Sequence, residues 1–345
     1  MIVSRTRRRS SAAATALRTT ALAGATLLML AACSGDPAND ADTSAPQAPG
    51  PDVSFTIAFI EPDITTVAMM AAIETVSAQG YDVKTIELAE PELAIEGLAS
   101  GDYAFAAEAT SPALIAIEQG ANIKIVADVV ANQWAVYSQE GITSCDELDG
   151  QPFGIMSEGA VATAMVREWV SRTCSEGVEP EYLVIGGSDV RAQALLSGQI
   201  AATALEVSDV VAIEATGTTM SQLVDFKSGL AGVYPQTVYA NGDFLKNEPE
   251  AAQAFISALV AENDKIAADA QYLVDLVTTY LPDSVDDNLA EIAQRYVDGK
   301  LFDAAALNEE NMQVTIDFFI GAGILAEGMA VEDAVDLSFI KAARG

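Results

Sequence analysis

Gly97 to Asp128, GLASGDYAFAAEATSPALIAIEQGANIKIVAD, decides the fold. It reads as a helix end, a turn at Ser100-Gly101-Asp102 and an apolar strand over Tyr103–Ala107. A polar elbow at Glu108-Ala109-Thr110-Ser111 follows, then a helix opened by Pro112 and a second strand over Asn122–Val129. Pro at a first helical position and Gly120 just past the helix end fit the usual asymmetry of helix termini. Strand, short loop and helix in alternation predict parallel strands with helical crossovers. Ligands in such sheets sit at the carboxyl ends of the strands, which here is the elbow.

The same logic recurs 97 residues on. Ala194–Glu206, ALLSGQIAATALE, repeats the Ser-Gly turn, the small-residue strand and the closing glutamate. The flanks match in kind, Tyr81–Leu88 against Tyr182–Gly186. Two related α/β lobes facing each other across a cleft are therefore expected, residues 53–134 with 227–345 forming the first and 135–226 the second. From Asn241 onward the pattern is helical and reads as scaffold over the first lobe.

Across 345 residues, 50 Asp and Glu oppose 17 Lys and Arg, a formal charge of −33. All basic residues before Cys33 lack an acidic neighbour, so the rest of the chain is more acidic still. That charge disfavours nucleic acid and anionic membrane surfaces as partners. Histidine is absent, which excludes histidine triads, histidine general bases and histidine-ligated zinc. With no Cys-x-x-Cys pair either, the residues call for no metal, no cofactor and no catalysis.

Met1–Ala32 has a basic front, an apolar run over about Ala21–Leu30 and small residues, which is the pattern of an export signal. Ser34–Asp52 is rich in Pro, Asp, Ala and Ser without a large apolar residue, so a flexible tether is expected over 33–52. Cys145 and Cys174, in an exported domain, are expected to pair as a disulfide rather than remain buried thiols. Trp169 sits mid-helix and reads as core. Trp134 lies on a polar-flanked crossover, where it either stacks on a flat ligand or packs inward.

The candidate ligand-binding residues lie at the predicted strand-to-helix turns. In the first lobe they are Asp63, Thr65, Thr66, Glu108, Thr110 and Ser111, with Thr65 and Thr66 serving equally well as helix caps. In the second they are Ser157, Glu158, Gly159 and Glu206. Trp134 and Tyr234 lie where the chain crosses between lobes. The elbows offer carboxylates and no Lys or Arg, and Arg191 and Lys227 are expected on the surface. Carboxylates neutralise a cation or accept from amines, and burying an anion among them is costly.

The run from Leu98 to Asp128, with Cys145-Asp146-Glu147-Leu148-Asp149-Gly150-Gln151-Pro152-Phe153-Gly154-Ile155 and the closing Val335–Ala343, resembles the periplasmic binding proteins of the nitrate, sulfonate, bicarbonate and thiamine-precursor class. Leu30-Ala31-Ala32-Cys33 likewise resembles a bacterial lipobox, which implies cleavage before Cys33 and lipidation of it. The resemblance implies a type II two-lobe α/β fold with the ligand cleft between lobes. It further implies a monomeric, membrane-anchored extracytoplasmic lipoprotein that hands a small molecule to an ABC permease and its ATPase. The family's pattern departs at the site, where anion-binding relatives are expected to present basic residues. A neutral or cationic nitrogenous ligand is expected instead. The alternatives are a sensing module not tied to transport and an enzyme of the same fold resembling pyrimidine-precursor synthases, which rely on a histidine and a cysteine-rich motif that this chain lacks.

Overall fold

The computed structural model describes residues 52–60, 62–88 and 91–345. The expected export signal, the lipidation site Cys33 and the tether up to Pro51 lie outside the described residues. Two five-stranded sheets carry the fold. The first holds β1 (Ser54–Ile60), β2 (Asp82–Leu88), β3 (Phe105–Ala109), β4 (Ile123–Asp128) and β10 (Gln236–Asn241), in the order β2-β1-β3-β10-β4. The second holds β5 (Ala135–Gln139), β6 (Pro152–Ile155), β7 (Glu181–Val184), β8 (Ala202–Leu205) and β9 (Met220–Asp225), in the order β7-β6-β8-β5-β9. Each sheet thus has the same plan: parallel strands with one antiparallel strand inserted next to the edge. In both cases the inserted strand, β10 or β5, is the first one after the chain crosses from the other sheet.

The repeat seen in the sequence has a physical counterpart at its two turns. Helix α2 (Pro91–Ser100) ends with Gly101 at φ +84° and α5 (Ser188–Leu196) is followed by Gly198 at φ +74°, left-handed backbone that favours glycine. The closing hydrogen bonds also correspond. Asp102 N donates to Gly97 O at 2.8 Å, and Gln199 N to Ala194 O at 2.9 Å. Each turn delivers the chain into the central strand of its sheet, β3 or β8.

The first lobe is anchored by aromatic packing. Phe105, fully buried on β3, meets Phe55 on β1, Phe244, and Phe255 of helix Pro249–Ala268, the last at 4.6 Å between ring centroids. In the second lobe α4 (Val161–Thr173) lays Met165, Val166 and Trp169 into the core, as its apolar spacing predicts. Cys145 and Cys174 form a disulfide that ties the start of this lobe to the end of α4. Asp146 reinforces the junction by accepting from the backbone N and Oγ of Ser175, both at 2.7 Å. No helix among the described residues is long and apolar enough to cross a membrane.

Two expectations shift. The elbow strand runs to Ala109, not Ala107, and α3 (Thr110–Glu118) starts before Pro112. Pairing with β10 extends the strand, since Gln236 and Thr237 oppose Ala109 and Glu108, and Thr110 N donates to Pro235 O at 2.9 Å. Local turn chemistry could not foresee a partner more than 120 residues away. Residues 220–226 and 233–240, whose apolar pattern in sequence suggests a strand pair returning to the first lobe, part company in the structure. β9 stays on β5 in the second sheet, and β10 alone joins the first.

Candidate functional site

A cavity of about 660 Å³ opens where the carboxyl ends of β1, β3, β6 and β8 converge, a size that suits a small molecule. Asp63, Glu108, Ser111, Trp134, Ser157, Gly159 and Glu206 line it. Both sheets therefore contribute their strand-end residues to one space, the arrangement expected of doubly wound α/β folds.

The other sequence candidates lie elsewhere. Thr65 and Thr66 are buried beneath Asp63 and hold it. Asp63 Oδ1 accepts from the N and Oγ1 of Thr65 at 2.9 and 2.6 Å, while Thr66 Oγ1 donates to the Asp63 carbonyl at 2.8 Å. Thr110 is buried behind the wall, its Oγ1 3.2 Å from that of Thr237. Glu158 is exposed and paired with Arg167 at 2.5 Å. Tyr234 turns into the C-terminal helices, its hydroxyl donating to Ala306 O at 2.6 Å and accepting from Asn308 Nδ2 at 3.1 Å.

Three further carboxylates reach the cavity that the sequence reading missed: Glu92, Asp189 and Asp209. All three sit in the first turn of a helix, α2, α5 or α6 (Val207–Ala215). Their position is that of ordinary helix-dipole partners, which is how such residues are normally read. The signal that distinguishes them is that each helix starts at a strand's carboxyl end. Met156 and Gln236 add an apolar side chain and an amide to the lining.

Arg191 corrects the expectation of a surface residue. Only 1% of it is exposed, and its guanidinium sits 5.7 Å from the centroid of the Trp134 ring. Its Nε donates to Thr203 Oγ1 at 3.1 Å, Nη2 to Ala204 O at 3.2 Å, and Nη1 to Gly186 O. Lys227 is exposed as expected, and its ammonium caps the carbonyls of Gly299 and Lys300.

The electrostatics follow from burying like charges together. Burial, reinforced by the neighbouring charges of Asp63, Asp209 and Glu108, pushes Glu206 up to about 8, with Arg191 opposing. Burial also raises Asp63, despite the stabilising bonds from Thr65, and raises Asp209. Asp63 belongs to the first lobe and Glu206 to the second, so the two lobes' carboxylates already feel one another across the cavity. Among the described residues no group of His, Cys, Asp or Glu has the arrangement of a metal site. Beside its carboxylates the cavity presents an indole, Trp134, and a thioether, Met156.

Sheet order, crossovers and cleft together define a two-lobe protein of the periplasmic-binding-protein fold. The sequence profile described as NMT1/THI5 like matches residues 77–269, more than half of the chain. The chain belongs to that family. Among solved structures, the ligand-binding component of an ABC-type import system from Staphylococcus aureus with zinc bound superposes with a TM-score of 0.67 at 17% identity, covering 84% of this chain and 99% of that one. The alkanesulfonate-binding protein of Xanthomonas axonopodis pv. citri bound to MOPS gives 0.64 at 15% identity, covering 84% and 100%. The periplasmic nitrate-binding protein of Synechocystis PCC 6803 gives 0.64 at 13%, covering 85% and 89%. At these identities the likeness establishes the fold. No curated protein is matched by the sequence.

Proposed function

We propose that this chain is the extracytoplasmic solute-binding protein of an ABC importer, and that it captures a small nitrogenous compound, cationic or neutral, between its lobes. One observation carries the ligand class. The cavity is lined by six carboxylates, Asp63, Glu92 and Glu108 from one lobe and Asp189, Glu206 and Asp209 from the other, with no Lys or Arg among the described lining residues. A unit charge 4 Å from one carboxylate at an effective dielectric of 20 interacts by about 4 kcal/mol. The sign favours a cation and opposes an anion, and the margin exceeds what apolar contacts with Trp134 and Met156 could reverse.

The fold it shares with binding components of importers supports the transport role, and the chain's export-signal pattern supports an extracytoplasmic location. In this reading residues 1–32 are the export signal, Cys33 carries the lipid, and 33–52 tether the binding domain. The first lobe spans 53–134 with 227–345 and the second 135–226. The partners are the small molecule, a permease and its ATPase.

Calorimetric titration with organic amines and with sulfonates of matched size tests the ligand class. At pH 8.5, above the value of about 8 to which Glu206 is pushed, the parent protein is expected to bind amines and not sulfonates, and Glu108→Gln and Glu206→Gln should each weaken amine binding at least tenfold. Unchanged amine affinity in both variants, or sulfonate binding by the parent, would sink the proposal.

A further inference from the structure

A buried arginine normally pairs with a carboxylate, because an isolated charge removed from water is expensive. Among the described residues Arg191 forms no ion pair. Its three acceptors are neutral oxygens, and Glu206, Asp209 and Asp189 act on it only through space. The acceptors belong to segments that form the cavity wall. Gly186 directly precedes the lining residues Gly187 to Asp189, and Ala204 lies two residues before Glu206. Trp134, against which the guanidinium rests, belongs to the crossover between lobes and lines the same cavity. One planar fork thus joins the turn after β7, the end of β8 and the crossover. A lysine ammonium could not make that set of contacts, lacking the planar fork.

We propose that Arg191 is the positioning residue of the ligand cleft, fixing the Trp134 ring as the seat for the uncharged part of the ligand. The indole already has a cation within cation–π range, and a second positive charge at that ring is disfavoured. The ligand's charge is therefore left to the carboxylates, and its apolar body to Trp134. This division of labour rests on the amine reading of the cleft, whereas the fixing of Trp134 does not.

The test uses the full chain carrying Trp169→Phe, so that indole emission reports Trp134 alone, with benzylammonium as probe. Arg191→Lys retains the charge and removes the fork, which separates positioning from simple electrostatics. In that variant acrylamide quenching of Trp134 is expected to at least double and benzylammonium to bind at least fivefold more weakly. Unchanged quenching overturns the proposal, and so does unchanged probe affinity with a loosened indole. Should Arg191→Lys not fold, Thr203→Val decides in its place. Of the three Arg191 contacts it removes only the acceptor of Nε, together with the bond from Thr203 Oγ1 to Gly154 O at 2.8 Å, and should change quenching and affinity in the same direction by a smaller factor; no change in either overturns the assignment. If benzylammonium fails to bind the parent, the amine reading of the cleft is what fails, and quenching by itself decides whether Arg191 fixes Trp134.

Discussion

Glu206→Gln is the substitution whose effect can be worked furthest from the structure. The glutamate's rise from 4.5 to about 8 corresponds to a preference of about 5 kcal/mol for the protonated form in the folded protein. Water in the open cleft relaxes part of that, and about 2–3 kcal/mol is a realistic effect. Between pH 4.5 and about 8 the folded state holds a proton on Glu206 that the unfolded state has lost. The contribution is therefore fully present below pH 4.5 and is lost as pH rises through 8. Glutamine is neutral throughout and escapes this loss. Urea unfolding of ligand-free protein from pH 4.5 to 9 is expected to show the variant gaining about 2–3 kcal/mol on the parent across that range, with the gain levelling off above pH 8. Above pH 8, where Glu206 is ionised, the same substitution is expected to weaken amine binding. Stability and affinity should move in opposite directions, as they do where like charges are held together for a ligand. A stability difference that does not change with pH would refute the reasoning that Glu206 is buried among like charges.

Replacing Cys145 and Cys174 by serine releases a loop of 29 residues' separation and is expected to lower stability by about 3–4 kcal/mol in the chain-entropy account, read from urea midpoints, with amine affinity unchanged. Phe105→Ala removes a fully buried ring packed on three others and should cost about 3–5 kcal/mol by the same measurement. Tyr296→Phe strips the buried Gln133 Oε1 of its hydroxyl donor at the crossover between lobes. A loss of about 1–3 kcal/mol is expected, and a loss below experimental error would mean that this contact does not brace the crossover.

The fold was legible because it rests on local signals that occur twice. The Ser-Gly turns at 100–101 and 197–198 demand left-handed glycines, and small-residue strands follow both. The carboxylates Asp63, Glu108 and Glu206 were legible as a set because strand-end positions converge in such sheets. What sequence could not supply was anything decided by distant partners. β10 pairs with β3 and thereby moves the elbow by two residues, placing Glu108 in the strand and Thr110 behind the wall. Thr65 and Thr66 belong to the turn that holds Asp63, a role that their spacing could not separate from ligand contact. Arg191 looked like a surface residue because its helix is only weakly patterned and two of its three acceptors are backbone carbonyls, which leave no mark in a sequence.

Native mass spectrometry of the protein as isolated, followed by release and identification of the bound molecule, decides which charge the cleft takes. A single adduct per chain that carries an amine or a cationic nitrogen ring is expected, lost when Glu206 is replaced by glutamine. An anionic adduct, such as a sulfonate or nitrate held in the same cleft, would contradict it.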